Sequence, residues 1–284
     1  MIKDCVIRRA EPVLDDARAL LAVEHETLGD SSYSPRKVVS ILDCPEHHAY
    51  LAFEREEAVG FCSCIQTPLG EGGQLEIDML GVLSEHRCQG IGSALVAGGV
   101  HEAVARGVRR YRAVVAEDNL FSKRTFQSLG FTQIAVAEMM VYQVRGRAPV
   151  EFLPPSWQWQ IRCEGRCEKA ALSQAFDAHG LGYEVHHMQD ENGGPVAAAE
   201  CLQVQTMAYK GFWVEGFEVL SHRATGYMAR ALAERAKELD VDEVGYLVPR
   251  QGADDALIPL VAAGYENVGT YVVLCGDATT VDHD

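Results

Sequence analysis

Two landmarks recur in register half a chain apart, and they constrain this 284-residue sequence more than anything else in it. Val82-Leu83-Ser84-Glu85-His86-Arg87 is answered by Val219-Leu220-Ser221-His222-Arg223, with Arg223 at an offset of 136 from Arg87. Leu129-Gly130-Phe131 is answered by Ala263-Gly264-Tyr265, with Gly264 at an offset of 134 from Gly130. One such match arises by chance. Two in register argue for an internal duplication, and the length suits two domains of roughly 100–150 residues each.

The order of expected elements repeats as well. In the first half, Pro12 opens a helix carried by Leu14, Ala17, Leu20, Leu21 and Glu24. Ser34-Pro35 caps a second helix with Val38, Val39 and Leu42 on its inner face. Strands are expected at 49–54 and 58–66, joined by Arg55-Glu56-Glu57. A glycine-rich loop from Gly70 to Gly73 leads to an apolar strand from Leu75 to Leu83. A helix at 91–104, a strand at 110–116, a helix at 120–129 stopped by Gly130, and a strand at 131–144 complete the half. Prolines 149, 154 and 155 mark a linker at 147–158, which divides the chain into domains at 1–146 and 159–284. The second half runs strand 158–163, helix 169–179, strands around the Asn192-Gly193 turn and at 206–220, helix 226–239, strand 243–248, helix 253–262 and a strand after Gly264. This order specifies an α/β chain of two tandem domains, each with a mixed, mostly antiparallel sheet flanked by helices.

Composition narrows the function. With 48% hydrophobic and 23% charged residues the chain can bury a core. No apolar run reaches the ~18 residues of a membrane span, and the start Met1-Ile2-Lys3-Asp4-Cys5 lacks the shape of a secretory signal. A cytoplasmic protein is expected. The nine cysteines include no C-x-x-C pair, and Cys163 and Cys167 lack a second ligand pair, so free thiols and no metal are expected. A net charge of −16, from 25 Lys plus Arg against 41 Asp plus Glu, repels nucleic acid and anionic membranes and favours a cationic partner.

The chemistry concentrates between Glu76 and Leu95, where a strand, a polar turn and a Gly90-Ile91-Gly92 helix start follow one another. The first turn of a helix has unpaired N–H groups and the positive end of the dipole. Glycines at 90 and 92 let an anion reach the backbone, while Arg87, Gln89 and Ser93 add a cation and donors. Leu95 stands where a dinucleotide fingerprint would have its third glycine, and a Walker lysine is absent. A nucleotide-dependent enzyme is thereby disfavoured. Gly81, inside an apolar strand, signals a bulge or a close backbone approach. Glu76 and Asp78 share a strand face, and either carboxylate suits a base.

Arg87-x-x-Gly90-x-Gly92 after a Val-Leu-Ser strand end resembles the signature of the GCN5-related N-acetyltransferase (GNAT) superfamily. Ile7-Arg8-Arg9-Ala10 is similar to a common opening of that family, and Asn119, Ser122, Phe126 and Gly130-Phe131 to its Asn-x-x-Ala-x-x-x-Tyr-x-x-x-Gly-Phe helix. The resemblance covers the first half and implies acetyl-coenzyme A as co-substrate, with no metal. It implies a diphosphate site at Arg87, Cys88, Gln89, Gly90, Ile91, Gly92 and Ser93. It also implies a bulged, splayed strand whose backbone around Leu80, Gly81 and Val82 pairs with the pantetheine arm, and cofactor contacts at Asn119, Ser122 and Phe126. Glu76 matches the strand glutamate that serves as base in some members, with transfer to a primary amine of a small molecule or peptide by direct attack. Phe126 departs from the family's Tyr, which often protonates the leaving thiolate, so a binding-only acyl-coenzyme A sensor remains as a second reading. In the second half Met228 replaces the second glycine, and Phe212, Ala253 and Leu260 replace Glu76, Asn119 and Phe126. That half is expected to be degenerate, packed as in a dimer within one chain, unless the chain itself forms homodimers.

Overall fold

The structure is a computed structural model describing residues 5–29, 33–69, 72–145, 156–162, 182–251 and 253–278. The helix expected at 169–179, Cys163, Cys167 and most of the linker lie outside the described residues. The chain forms two compact units: residues 1–135, 206–208 and 272–284 make the first, and residues 136–205 and 209–271 the second.

In unit 1, β1 (Cys5–Arg9), β2 (His47–Glu54), β3 (Glu57–Thr67), β4 (Gln74–Val82) and β5 (Arg110–Ala116) lie in that spatial order. The first four pair antiparallel, and β4 pairs parallel with β5. Helices α1 (Leu14–Thr27) and α2 (Pro35–Leu42) pack on one face, where Ala17, Leu20, Val23, Val38 and Ile41 meet Leu51 and Phe61. α1 starts at Leu14 rather than Pro12 because Val13 is still extended. Asp16 then locks the helix to β1: both its oxygens take Arg8 donors, at 2.6 and 2.7 Å, and one takes the Glu11 N–H. The Arg8 hydrogen bond holds the Asp16 carboxyl below its ordinary range. Ser34 caps α2 as expected, accepting from the Lys37 N–H at 3.4 Å. α3 (Ile91–Ala105) buries Leu95, Val96, Val100 and Ala103. α4 (Leu120–Ser128) follows β5.

Two pieces of the second half belong to unit 1. The final residues of β12 (Glu266–Asp277) flank β5, where the Tyr111 hydroxyl donates to the Asp277 carbonyl at 2.8 Å and the Ala278 N–H to the Arg109 carbonyl at 2.9 Å. Tyr111 lies so close over Gly276 that a Cβ there would sit 2.0 Å from its ring. Met207, fully buried, joins the core beneath α1 and α2.

Unit 2 repeats the plan. It contains β6 (Thr132–Gln143) from Val136 onward, β7 (Gln158–Arg162), β8 (Tyr183–Gln189), β9 (Pro195–Gln205), β10 (Lys210–Val219) and β11 (Glu243–Pro249). β6 pairs antiparallel with β11, and β11 parallel with β10. α5 (His222–Glu238) and α6 (Ala253–Ala262) bury Met228, Leu232 and Leu260 against Met140, Phe212 and Val244. The strand expected over 206–220 is shorter, because Thr206–Ala208 leave for unit 1.

These memberships shift the units away from the boundaries read at 1–146 and 159–284. Hydrophobic patterning gives the strands, but strand neighbours are non-local and leave no mark on it. A fragment ending at residue 145 lacks Met207 and the strand beside β5. We expect it to aggregate or unfold non-cooperatively in denaturant; a monomeric fragment with a cooperative transition would contradict the assignment. In the full chain, Met207→Ala should cost about 2–5 kcal/mol by chemical denaturation.

Candidate functional site

The site begins where two strands part. β4 and β5 pair from Gln74–Arg110 to Ile77–Ala113, and no further, although β4 continues to Val82 and β5 to Ala116. At the parting point the β3–β4 ladder skips Asp78: Cys64 partners Ile77 and Ser63 partners Met79. The strand is bulged, at Asp78, and of the two readings offered for Gly81, a bulge or a close backbone approach, the second holds. Gly81 is regularly paired with Phe61, and its requirement is space: a Cβ would lie 2.4 Å from Thr27 Oγ1 and 2.7 Å from the Phe61 ring. The Leu83 N–H donates to the Val59 carbonyl on β3, and the Gly81 carbonyl faces Gly60. Because backbone groups alternate along a strand, Leu80 and Val82 present their amides to the edge that β5 has left.

The slot ends on the turn. A 3₁₀ segment, Ser84–His86, leads to Arg87, whose Nε donates to the Val82 carbonyl at 2.9 Å. Cys88 and Gly90 both adopt left-handed backbone, with φ of 60° and 85°. Gly90 is the N-cap of α3 and supplies no side-chain cap, and the first helical bond runs from Ala94 N–H to Gly90 carbonyl. The amides of Ile91, Gly92 and Ser93 thus precede the first turn's bonding, at the positive end of the dipole. A Cβ on Gly92 would project among Leu80, Val82 and Thr125, at 3.8 Å from each.

A cleft of about 600 Å³ joins these parts. Leu80, Gly81, Val82, Arg87, Cys88, Gly90, Ile91, Gly92, Ser93, Asn119 and Ser122 all line it, as the sequence suggested. Gln89 and Phe126 are not among its lining residues. Gln89 turns back to donate to the Glu85 carbonyl at 3.2 Å. Phe126 is 3% exposed and packs its ring on Phe131 at 5.1 Å. Asn119 is the N-cap of α4, accepting the Ser122 N–H at 3.0 Å. Sequence reasoning passed over Thr27, Leu28 and His86, and over Phe121, Arg124, Thr125 and Ser128. The last four were findable, because helical spacing from Phe121 places them on one face. Among the described residues lining the cleft none is acidic, in a chain with 41 Asp plus Glu.

The two candidate bases differ sharply. Glu76 is bound at both oxygens, by Arg112 Nε at 2.8 Å and Gln74 Nε2 at 2.6 Å. Asp78 is half-buried in the bulge, accepts from the Met207 backbone N–H, and lies 3.5 Å from Ser63 Oγ. Ser63 in turn contacts His47 Nε2 at 3.0 Å. Burial pushes the Asp78 carboxyl up to about 7, with the nearby charges of Glu76 and Glu24 adding to the shift. Burial also pushes His47 down to about 3, leaving that ring neutral.

Unit 2 keeps the scaffold and closes the site. The β10–β11 pairing likewise stops, at Val214–Tyr246, and the β9–β10 ladder skips Glu215 as the β3–β4 ladder skips Asp78. Beyond the stop, however, Phe217 and Tyr246 pack ring to ring at 5.1 Å. The turn is gone: α5 begins at His222, earlier than the Gly226 expected, and draws Arg223 into its first turn. Ser221 Oγ accepts the Ala224 N–H at 3.2 Å, so the helix start is already capped. Met228 is fully buried.

A bulged, splayed strand leading into a left-handed turn and an uncapped helix defines the class: an α/β protein of two like units, the first with a cleft lined by that strand, turn and helix start. The sequence model of the Acetyltransferase (GNAT) family matches residues 14–131, and that segment is a GNAT domain. No curated protein matches the sequence. Among solved structures, a tandem GNAT protein from the clavulanic acid biosynthesis pathway is similar at 14% identity and a TM-score of 0.56, over 96% of this chain and 98% of that one. A GCN5-related N-acetyltransferase from Sphaerobacter thermophilus is similar at 16% identity and a TM-score of 0.59, over 97% and 96%. A glucosamine N-acetyltransferase region of a fungal multi-domain β-N-acetylglucosaminidase gives 11% identity and a TM-score of 0.60, over 96% of this chain and 38% of that one. At these identities the likeness concerns the fold, and the fold shared along the chain is the tandem GNAT fold.

The two turn glycines are expected to behave differently. Gly90→Ala forces a side chain into the left-handed region and should cost about 1–2 kcal/mol of stability. Gly92→Ala meets only ordinary contacts in a helix and should leave stability unchanged or raise it by up to about 1 kcal/mol. It should nevertheless weaken acetyl-coenzyme A binding, read by calorimetry, because the new methyl group projects into the cleft. Unweakened binding would place the ligand elsewhere.

Proposed function

We propose that the chain is an N-acetyltransferase that moves an acetyl group from acetyl-coenzyme A to a primary amine by direct attack, using the cleft of unit 1. What supports this most is one coincidence: a free strand edge, a left-handed turn and an uncapped helix start line a single cleft without a carboxylate. These residues fit the co-substrate. Leu80 and Val82 would hold its amide arm, and Arg87 with the amides of Ile91, Gly92 and Ser93 its diphosphate. When bound, acetyl-coenzyme A supplies an acyl group already activated as a thioester.

The chain's own contribution is to orient, to polarise and to take a proton. The edge N–H of Val82 is a donor available for developing negative charge. A cationic amine, drawn by the net charge of −16, has to lose a proton before its nitrogen can attack. Asp78 is the carboxylate for that step. It does not line the cleft, so it takes the proton through a water chain from its place in the bulge where β4 and β5 part, and its affinity for protons is raised to match neutral pH. Glu76, held by Arg112 and Gln74, braces β4 against β5 instead. As the C–N bond forms the C–S bond breaks and coenzyme A departs as a thiolate; Phe126 has no proton to give, so solvent at the open cleft protonates the thiolate and accepts the proton that the acylated nitrogen sheds.

The test is thiol release across a panel of primary amines. Asp78→Asn should lower kcat by about 10²–10⁴-fold while leaving the affinity for acetyl-coenzyme A intact, and Glu76→Gln should do less. Since Asp78 must be ionised, wild-type kcat should rise with pH to a plateau above about 7. Activity abolished by Glu76→Gln and spared by Asp78→Asn would reverse the assignment. Stability should move the other way. The folded chain keeps a proton on Asp78 that an unfolded Asp releases near pH ~4, so this contribution is lost as pH rises from there through about 7. Asp78→Asn should flatten that part of the stability profile. The buried Phe126 supports a second reading, a binding-only sensor. Tight binding with no thiol release from any amine would favour it.

A further inference from the structure

We infer that Ser63 and His47 are positioning residues for Asp78: the His47 ring carries its one proton on Nε2 and donates it to Ser63 Oγ, which turns the Ser63 hydroxyl proton onto the Asp78 carboxylate. This deepens the proposed reading in which Asp78 takes the proton of the amine, and rests on it.

Three strands bring the groups together. Ser63 of β3 faces Ala49 of β2 on one side and Met79 of β4 on the other. His47 stands two residues from Ala49 and so shares its face of the sheet. Asp78 would point to the opposite face in a regular strand, and the bulge is what lets it reach the same hydroxyl. His47 and Ser63 are both buried, at 2% and 0% exposure. The order is not that of a nucleophilic serine, in which the ring stands between hydroxyl and carboxylate. Here the hydroxyl is the middle member, held from both sides, and its work is to orient.

The direction of the chain follows from counting donors. Burial, with His48 and Arg9 nearby, pushes His47 down to about 3, so the neutral ring has one proton to place. On Nδ1 that proton would be a buried donor with no hydrogen-bond partner among the described residues, and Ser63 would commit its own proton to Nε2. On Nε2 it meets Ser63 Oγ at 3.0 Å and frees the hydroxyl proton for Asp78 Oδ2 at 3.5 Å. The Nε2 form makes two hydrogen bonds and buries no unpaired donor; the Nδ1 form makes one. The 3.5 Å contact is long, and a full charge on the acceptor draws such a bond in.

The surroundings of Asp78 give this chain its task. Burial, Glu76 on the same strand and Glu24 on α1 oppose its ionisation, while Ser63 and the Met207 N–H favour it. The Cys64 thiol on β3 adds no charge, since its contact with Cys62 and its burial keep it protonated. The Ser63 hydroxyl thereby helps to keep the carboxylate within reach of neutral pH.

The experiment follows the Asp78 carboxyl by carbon NMR, and kcat, across pH in the full chain and in Ser63→Ala. The variant should move both midpoints up together by about one pH unit, so that the rate on the low-pH limb falls about tenfold. A cooperative unfolding transition shows that the variant is folded. In wild type, ring-nitrogen NMR should find the His47 proton on Nε2, a result that needs no variant. A ring proton on Nδ1, a carboxyl midpoint left in place by Ser63→Ala, or a kcat lowered equally at every pH would overturn this inference and leave the proposed function standing. A carboxyl midpoint that moves while the rate profile does not would overturn Asp78 as the base, and with it the role given to the pair.

Discussion

Beyond Ile77 one edge of β4 has no strand partner among the described residues, and the rest of the site is arranged around that edge. A buried strand edge is costly unless something satisfies it. Here it faces an open cleft, so water or a ligand can do so. The bulge at Asp78 changes the strand's course just where β5 departs. Gly81 then keeps β4 flush with Thr27 and Phe61, and Arg87 closes back on the Val82 carbonyl. The splay, the turn and the helix start are thus one continuous backbone feature, with side chains mainly fixing its ends.

Much of this was legible. The Gly-x-Gly turn announces itself because left-handed backbone and close approach admit few residues, and Gly90 indeed sits at a φ of 85°. Ser34 caps its helix as expected, whereas Asn119, read only as a cofactor contact, caps α4. The duplication showed in two landmarks, and the structure adds a third correspondence that no identity reveals: Asp78 and Glu215 are each skipped by their sheet ladders. Other features were hidden for physical reasons. A bulge is a property of two strands in register, so the residue it spares cannot be read from one of them. Glu76 matched a base by position, but its partner Arg112 lies 36 residues away, on β5. Likewise nothing local says that Met207 is buried with α1 and α2, or that Val272–Asp277 stands beside β5.

The second unit shows how few changes remove such a site from an intact fold. Its strands part at the equivalent point, yet two aromatic rings meet beyond it. Its turn is one residue shorter, lacking a counterpart of Glu85, and the helix runs back to Ser221, which caps it. Each change replaces a group awaiting a ligand by a contact within the protein. Capping an open helix end is stabilising in its own right.

The most direct measurement is amide hydrogen exchange with and without acetyl-coenzyme A. The account predicts that the ligand slows exchange at Leu80, Val82, Ile91, Gly92 and Ser93 and leaves the segment from Val219 to Tyr227 unchanged. Protection of the second segment, or exchange unaltered along the β4 edge and the start of α3, would contradict it.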